Sequence, residues 1–229
     1  MWDKESIVML AKAAIRMGRH PAEWKRPSGV EIGKPGKDDN TQLKAYRSIS
    51  LLSRMGKVVE KVVPELLPEE AGRTGLLSDR QFGSRQGWSA IDAATILDDR
   101  AHTAWKNGHI TCVHLTDIKA AFRRVAKERL VNLMTVREMD ADLIRGTESF
   151  LSDRMVVMTI NGKGMERHPV EAGVLLGSPV PLMLFAIYTL GLIKYFKGYV
   201  SETEELSIVD DFSWVATHSD VNHIVTILA

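Results

Sequence analysis

The chain reads as an α+β protein, and three features predict it. Helical and strand periodicities both recur along the sequence, at least two strand pairs are joined directly, and no regular strand–helix–strand alternation builds a doubly wound sheet. At 229 residues the chain is long enough for one large domain or two small ones with a substantial core. Hydrophobic residues make up 45% and charged residues 26%, which are ordinary globular proportions. The formal net charge is only +1, so any nucleic-acid surface has to be local. The single cysteine, Cys112, excludes an internal disulfide and fits a reducing, intracellular setting, whether nucleus or cytoplasm.

MWDKESIVMLAKAAIRMGRH carries an acidic residue early and Lys12 inside its apolar stretch, so it predicts an amphipathic helix rather than a secretory signal. A loop, PAEWKRPSG, the short apolar piece VEIG and the polar run KPGKDDNTQ follow. The polar stretch between 26 and 46 is the candidate boundary, dividing residues 1–45 from 46–229. YRSISLL predicts an extended segment, and SRMGKVVEKVVPELL a helix that Pro64 bends or ends. WSAIDAATILDDRAHTAWKNG predicts a helix with Ser89 as its cap and Gly108 as its stop.

ITCVHLTDI predicts an apolar strand, VAKERLVNLMTVREM a helix, and DADLIRGTESFLSDR a further helix capped by Asp140. MVVMTING and MERHPVEAG predict two strands joined at NGKG. PVPLMLFAIYTLGLI, residues 179–193, is shorter than the roughly 20 residues of a bilayer span and predicts a fully buried helix, with no membrane partner. LSIVDDFSWVA predicts two strands with Asp210 and Asp211 between them, and SDVNHIVTILA a final helix capped by Ser219 or Asp220.

Asp-Asp is not a favoured hairpin turn, since tight hairpins select Asn-Gly or Asp-Gly. The pair is therefore better explained by its charge. A third carboxylate, Asp117, ends the strand ITCVHLTDI. It either caps the next helix or joins the pair at one sheet edge. Three mutually repelling carboxylates with oxygen-only donors would favour Mg²⁺ or Mn²⁺.

At these residues the sequence resembles the reverse transcriptase domain of non-LTR retrotransposons, particularly the fungal LINE-like elements. The likeness runs in the family's order through IGKPGKDD with YRSISLLSRMGKVVEK, LLSDRQFGSRQGWSAIDAATIL, TDIKAAFRRV, SFLSDRMVVMTING, GVLLGSPVPLMLFAIYTLGL and LSIVDDFSWVA. It implies the fingers and palm of a right-hand polymerase, with an antiparallel palm sheet backed by helices. Residues 1–45 would hold the first helix and the start of the fingers.

The resemblance also implies RNA-directed DNA polymerisation, with an RNA template, a DNA primer and deoxynucleoside triphosphates as partners. Asp117 and Asp210 would bridge two Mg²⁺ ions and Asp211 would support them. Lys34 and Arg47 match fingers residues near the incoming triphosphate. Phe122 matches the aromatic under the sugar that excludes a ribose 2′-hydroxyl, and Gly177 and Ser178 match the turn beside the nucleotide pocket. Read without the family, Lys34 and Arg47 are solvated charges, Phe122 is core and Gly177 is a helix-entry turn.

Several positions depart from the pattern. Leu176 replaces a glutamine whose amide contacts the nucleotide, and leucine has no donor or acceptor. Arg123 places a cation near Asp117 in sequence, Ser48 replaces a proline, and Pro181-Leu182 replaces Ser-Pro. The chain stops inside its final helical pattern, so the expectation is a thumbless domain with weak or no processive activity. Two other readings stay open: a non-catalytic nucleic-acid-binding remnant, and an unrelated Mg-dependent phosphohydrolase using the same three acids.

Overall fold

The computed structural model describes residues 3–36, 39, 41, 42, 45–61, 63–85, 87–160, 163–174, 177, 180–199 and 202–228. They form two compact units: residues 1–70 with 122–181, and residues 71–121 with 182–229. The polar stretch expected as a boundary instead carries strand β1 (Ser28–Gly33), which pairs antiparallel with β2 (Tyr46–Leu51) across residue 45. The division falls elsewhere because strand pairing outweighs local polarity in deciding what is compact.

In the first unit, helix α1 (Lys4–Arg16) starts where the Asp3 carboxylate accepts the Ser6 N–H. The expected helix over 53–67 is two helices, α2 (Arg54–Glu60) and α3 (Val63–Arg73). Pro64 accounts for the break, since it has no N–H to donate and is best placed in a first helical turn, although α3 also holds Pro68 in its interior. Helix α3 continues into the second unit, and there the chain forms α4 (Ala90–Lys106) and β3 (Ile110–Asp117).

After a single 3₁₀ turn (Ala121–Arg124), the first unit resumes with α5 (Lys127–Val136), α6 (Ala141–Leu151), β4 (Met155–Ile160) and β5 (Lys163–Pro169). Asp140 caps α6 as expected, accepting the Asp142 and Leu143 N–H groups. The β4–β5 pair is antiparallel as expected, and Asn161 and Gly162 of its turn lie outside the described residues. Four strands join in the order β2-β1-β4-β5, with β1 parallel to β4. Helices α1 and α5 pack on α6, burying Ala11, Ala14, Ile15, Leu130, Met134 and Phe150.

In the second unit, α4 has the expected Ser89 cap, reinforced by the Ser89 N–H donating back to the Asp92 carboxylate, and Gly108 follows its end at φ 70°. The apolar stretch expected at 179–193 forms α7 (Val180–Tyr199), which is longer than the sequence predicts. Residues Val180–Lys197 are long and apolar enough to cross a membrane by length and composition, yet 56% of that window is buried in the protein. Then come β6 (Thr203–Ile208), β7 (Asp211–His218) and α8 (Val221–Leu228), the last capped by Asp220.

These strands form an antiparallel sheet in the order β3-β7-β6. On one face Phe212 and Trp214 pack with Ile193 of α7 and Leu228 of α8. On the other, Val215 and Leu206 pack with Phe82 and with Ala93, Ile96 and Leu97 of α4. This places the sheet between helices, with its free end at the β6–β7 turn.

Candidate active site

Central strand β7 positions the site. It pairs with β3 from Ile110↔His218 to Asp117↔Asp211, and with β6 up to Ile208↔Asp211. Directly opposed residues share a face, so Asp117 and Asp211 stand side by side at the end of the sheet. Asp210 lies in the adjoining loop. The expectation that both aspartates form the turn is corrected: the two-residue loop is Val209-Asp210, and Asp211 already belongs to β7.

Val209 has φ 59°, a left-handed conformation at a place where such a loop ordinarily takes glycine. For a β-branched residue this costs on the order of 1–3 kcal/mol and has to be held by its surroundings.

The charges of the other two carboxylates act on Asp210. Burial pushes the Asp210 carboxyl above its ordinary value, a bond from its own backbone N–H opposes this, and the charges of Asp211 and Asp117 push it up further. Asp117 is exposed: β3 is an edge strand, and despite its apolar residues most of it is accessible. Among the described residues its carboxylate accepts no hydrogen bond, so helix capping is not its role.

Among the described residues no three or more His, Cys, Asp or Glu side chains are closed tightly enough to hold a metal ion as they stand. That is compatible with Mg²⁺, which typically takes one or two carboxylates plus substrate phosphates rather than a cage made wholly of protein. The donors here are all oxygens, and the mutual repulsion at Asp210 is what a divalent ion would relieve. The residues present fit such an ion.

Behind the carboxylates lies one the sequence analysis passed over. Glu205 in β6 is 0% exposed and accepts the Ser207 hydroxyl at 2.6 Å and the Ser78 hydroxyl at 3.2 Å, with Lys197 Nζ at 3.7 Å. Flanked by Glu204 and Leu206 and lying just before the predicted strand, it gave no signal in the sequence.

The remaining site residues belong to the first unit. Lys34 follows β1 directly, donating its N–H to Ala45 O at 2.8 Å, and Arg47 lies in β2 opposite Ile32. The Arg47 side chain lies outside what is described. Phe122 sits half-buried in the 3₁₀ turn, where its carbonyl accepts the Val174 N–H at 2.7 Å. Leu176 and Ser178 lie outside the described residues.

Gly177 is required where it stands. Its φ is 150°, and a Cβ there would lie 2.1 Å from the Ser50 carbonyl oxygen. Gly177→Ala should therefore cost about 2 kcal/mol or more in urea unfolding, because a backbone carbonyl cannot give way as a side-chain tip can. An unchanged midpoint would show that this approach is not held in solution.

Comparison with known proteins agrees with this arrangement. A profile described as "Reverse transcriptase (RNA-dependent DNA polymerase)" matches residues 32–227. The chain is 27% identical over 186 residues to the "Probable RNA-directed DNA polymerase from transposon BS" of Drosophila melanogaster, covering 81% of this chain and 20% of that protein. It is 25% identical over 220 residues to the "RNA-directed DNA polymerase from mobile element jockey" of the same species, covering 96% and 23%. The chain thus spans about a fifth of the length of these curated relatives.

Among solved structures, telomerase from Candida tropicalis in complex with a TWJ fragment of telomeric RNA superposes with a TM-score of 0.62 at 14% identity, over 91% of this chain and 38% of that one. Apo telomerase from the same organism, truncated from the C-terminal domain, gives 0.59 at 14%, over 90% and 46%. At that identity the likeness is one of fold, and it bears out the polymerase fingers and palm. The two relatives bear out a LINE-like element; being from an insect, they lend nothing to the fungal subtype.

Proposed function

The chain belongs to the reverse transcriptase (RNA-dependent DNA polymerase) family, and from that premise we propose that it adds deoxynucleotides to a DNA primer on an RNA template. One observation carries this reading: Asp117 and Asp211 are paired across β3 and β7, with Asp210 in the loop beside them. Asp117 and Asp210 would hold divalent cations, which in nucleotidyl transfer activate the primer 3′-hydroxyl and neutralise the leaving pyrophosphate.

The chain's own residues do the rest. Asp211 adds negative charge at the same sheet end and keeps the site selective for cations. Lys34 and Arg47 neutralise triphosphate oxygens, Lys34 as a point charge and Arg47 as a planar fork. Phe122 stacks beneath the sugar, and Gly177 and Ser178 match the family's residues beside the nucleotide pocket. Leu176 provides no hydrogen bond there, so nucleotide affinity is weak and products are short.

Primer extension with the 229-residue chain tests the proposal. Incorporation of the template-specified nucleotide is expected with Mg²⁺ or Mn²⁺, and none after chelation or without the RNA. Salt-sensitive RNA binding with no incorporation under any cation would overturn it in favour of a non-catalytic binding remnant. Phosphate release from a small ester without any template would point to the hydrolase reading.

A further inference from the structure

Among the described residues, the segment between α3 and α4 forms no strand of its own, yet it follows β6 closely. Gln81 and Ser207 form a parallel bridge, Phe82 N–H donates to Ser207 O at 2.7 Å, and Ser207 N–H donates to Arg80 O at 2.9 Å. Past that bridge the Gln81 side chain takes over as the ladder. Its Oε1 accepts the Val209 N–H at 2.8 Å and the Gly83 N–H at 2.9 Å, and its Nε2 donates to Val209 O at 3.3 Å. Gln81 is 1% exposed, so the carboxamide makes these bonds away from competing water.

A side-chain amide carries a donor and an acceptor on separate atoms, so Gln81 can accept from the N–H and donate to the C=O of one residue at the same time. The residue so held is Val209, whose positive φ makes it the least comfortable position in the hairpin and which directly precedes Asp210. Gly83 completes the clamp: a Cβ there would lie 2.3 Å from Val209 Cγ2 and 2.6 Å from Val209 N. A two-point amide contact, a forced left-handed residue and a position open only to glycine thus converge on the residue before a site carboxylate.

We propose that Gln81 is a positioning residue for nucleotidyl transfer: its carboxamide locks the left-handed backbone of Val209 and so aims Asp210 at the cation shared with Asp117. The proposal rests on reading the three carboxylates as cation ligands, and its test separates the two.

Two measurements on the full chain serve. Amide exchange at Val209, followed by NMR, reports the clamp without any metal. Mn²⁺ affinity, followed by electron paramagnetic resonance, reports the aim of the carboxylates. Gln81→Met keeps side-chain length and loses all three bonds. Val209 exchange should then quicken at least about tenfold and Mn²⁺ binding weaken about tenfold, as for other groups that orient metal ligands.

Adding Val209→Gly to Gln81→Met should bring Mn²⁺ affinity back to within roughly threefold of the parent, because glycine takes positive φ without being held. A merely structural Gln81 would show no such rescue. Val209→Gly alone should bind Mn²⁺ like the parent, and it keeps the proposal testable if Gln81→Met does not fold. A loss of affinity in that single variant would count against the proposal.

Unchanged Val209 exchange in Gln81→Met would overturn the clamp. Faster exchange with unchanged Mn²⁺ affinity would overturn the positioning role, provided Asp117→Asn weakens that affinity. If Asp117→Asn has no effect, the cation reading has failed, and the exchange data alone decide whether the clamp exists.

Discussion

Asp210→Asn should lower primer extension by at least about a hundredfold, since even groups that merely orient metal ligands cost 10–100-fold when removed, and at the same time make the fold harder to unfold. The two effects share one cause. Burial, then the charges of Asp211 and Asp117, hold the Asp210 carboxyl above its ordinary value of 3.8. The folded state therefore binds that proton more tightly than the unfolded chain does. Stability falls as pH rises from 3.8 through the raised folded value, and the whole penalty is present at neutral pH.

Asparagine keeps the shape and discards the charge. Urea midpoints at pH 7 should place the variant above the parent, with the gap closing as pH falls towards 3.8. A variant less stable than the parent at pH 7 would mean that the ionised carboxylate is a structural asset, and the case for a site strained to receive a cation would go with it. Functional sites often carry such a conflict between activity and stability.

Much of this arrangement was legible because its causes are local. Ser89 and Asp140 cap helices through side chains that reach three residues or fewer along the chain. The two hairpins announce themselves by strands that adjoin in sequence. What failed to show depends on partners far away. Nothing around Ser28 indicates that it pairs in parallel with Val157, so Ser28 and Gly29 fell in a loop, VEIG stood only as a short apolar piece, and the polar stretch between 26 and 46 looked like a boundary.

The apolar residues of ITCVHLTDI marked a strand correctly, but its edge position, which leaves it largely exposed, could not be read from them. Val209 could not be recognised as the loop residue, since valine is a poor choice there by turn chemistry and is tolerated only through contacts 128 residues away. Gln81 and Glu205 were invisible for the same reason. A buried amide or acid has meaning only through its partners.

The first unit's interior makes the second large effect. His20 packs edge-on between Trp24 and Phe150, with ring centroids 5.4 and 5.3 Å away, and its Nε2 lies 3.5 Å from the Glu60 carboxylate. Protonated, that contact would be an ion pair. Burial first, then the positive charges of Arg154 and Lys25, instead push the imidazole down from 6.5 to about 4, so it is neutral at pH 7. Arg154 is itself buried, its guanidinium stacked 3.8 Å over the Phe150 ring.

For a histidine whose folded value is depressed, stability is fully present above 6.5 and is lost as pH falls towards 4, because the unfolded chain takes up the proton first. Over that window the loss should reach about 3 kcal/mol, at 1.36 kcal/mol per unit. Carboxylates titrate over part of the same range, so the parent is best measured against His20→Phe, which keeps an aromatic ring between Trp24 and Phe150 and has no proton to gain. The backbone bond from residue 20 to Ser149 Oγ does not depend on the side chain. Urea unfolding at pH 7 and pH 4.5 should show the parent losing more than 2 kcal/mol beyond whatever His20→Phe loses. Equal losses in the two proteins would place the His20 proton in contact with solvent or with Glu60 and overturn the picture of a neutral, buried ring.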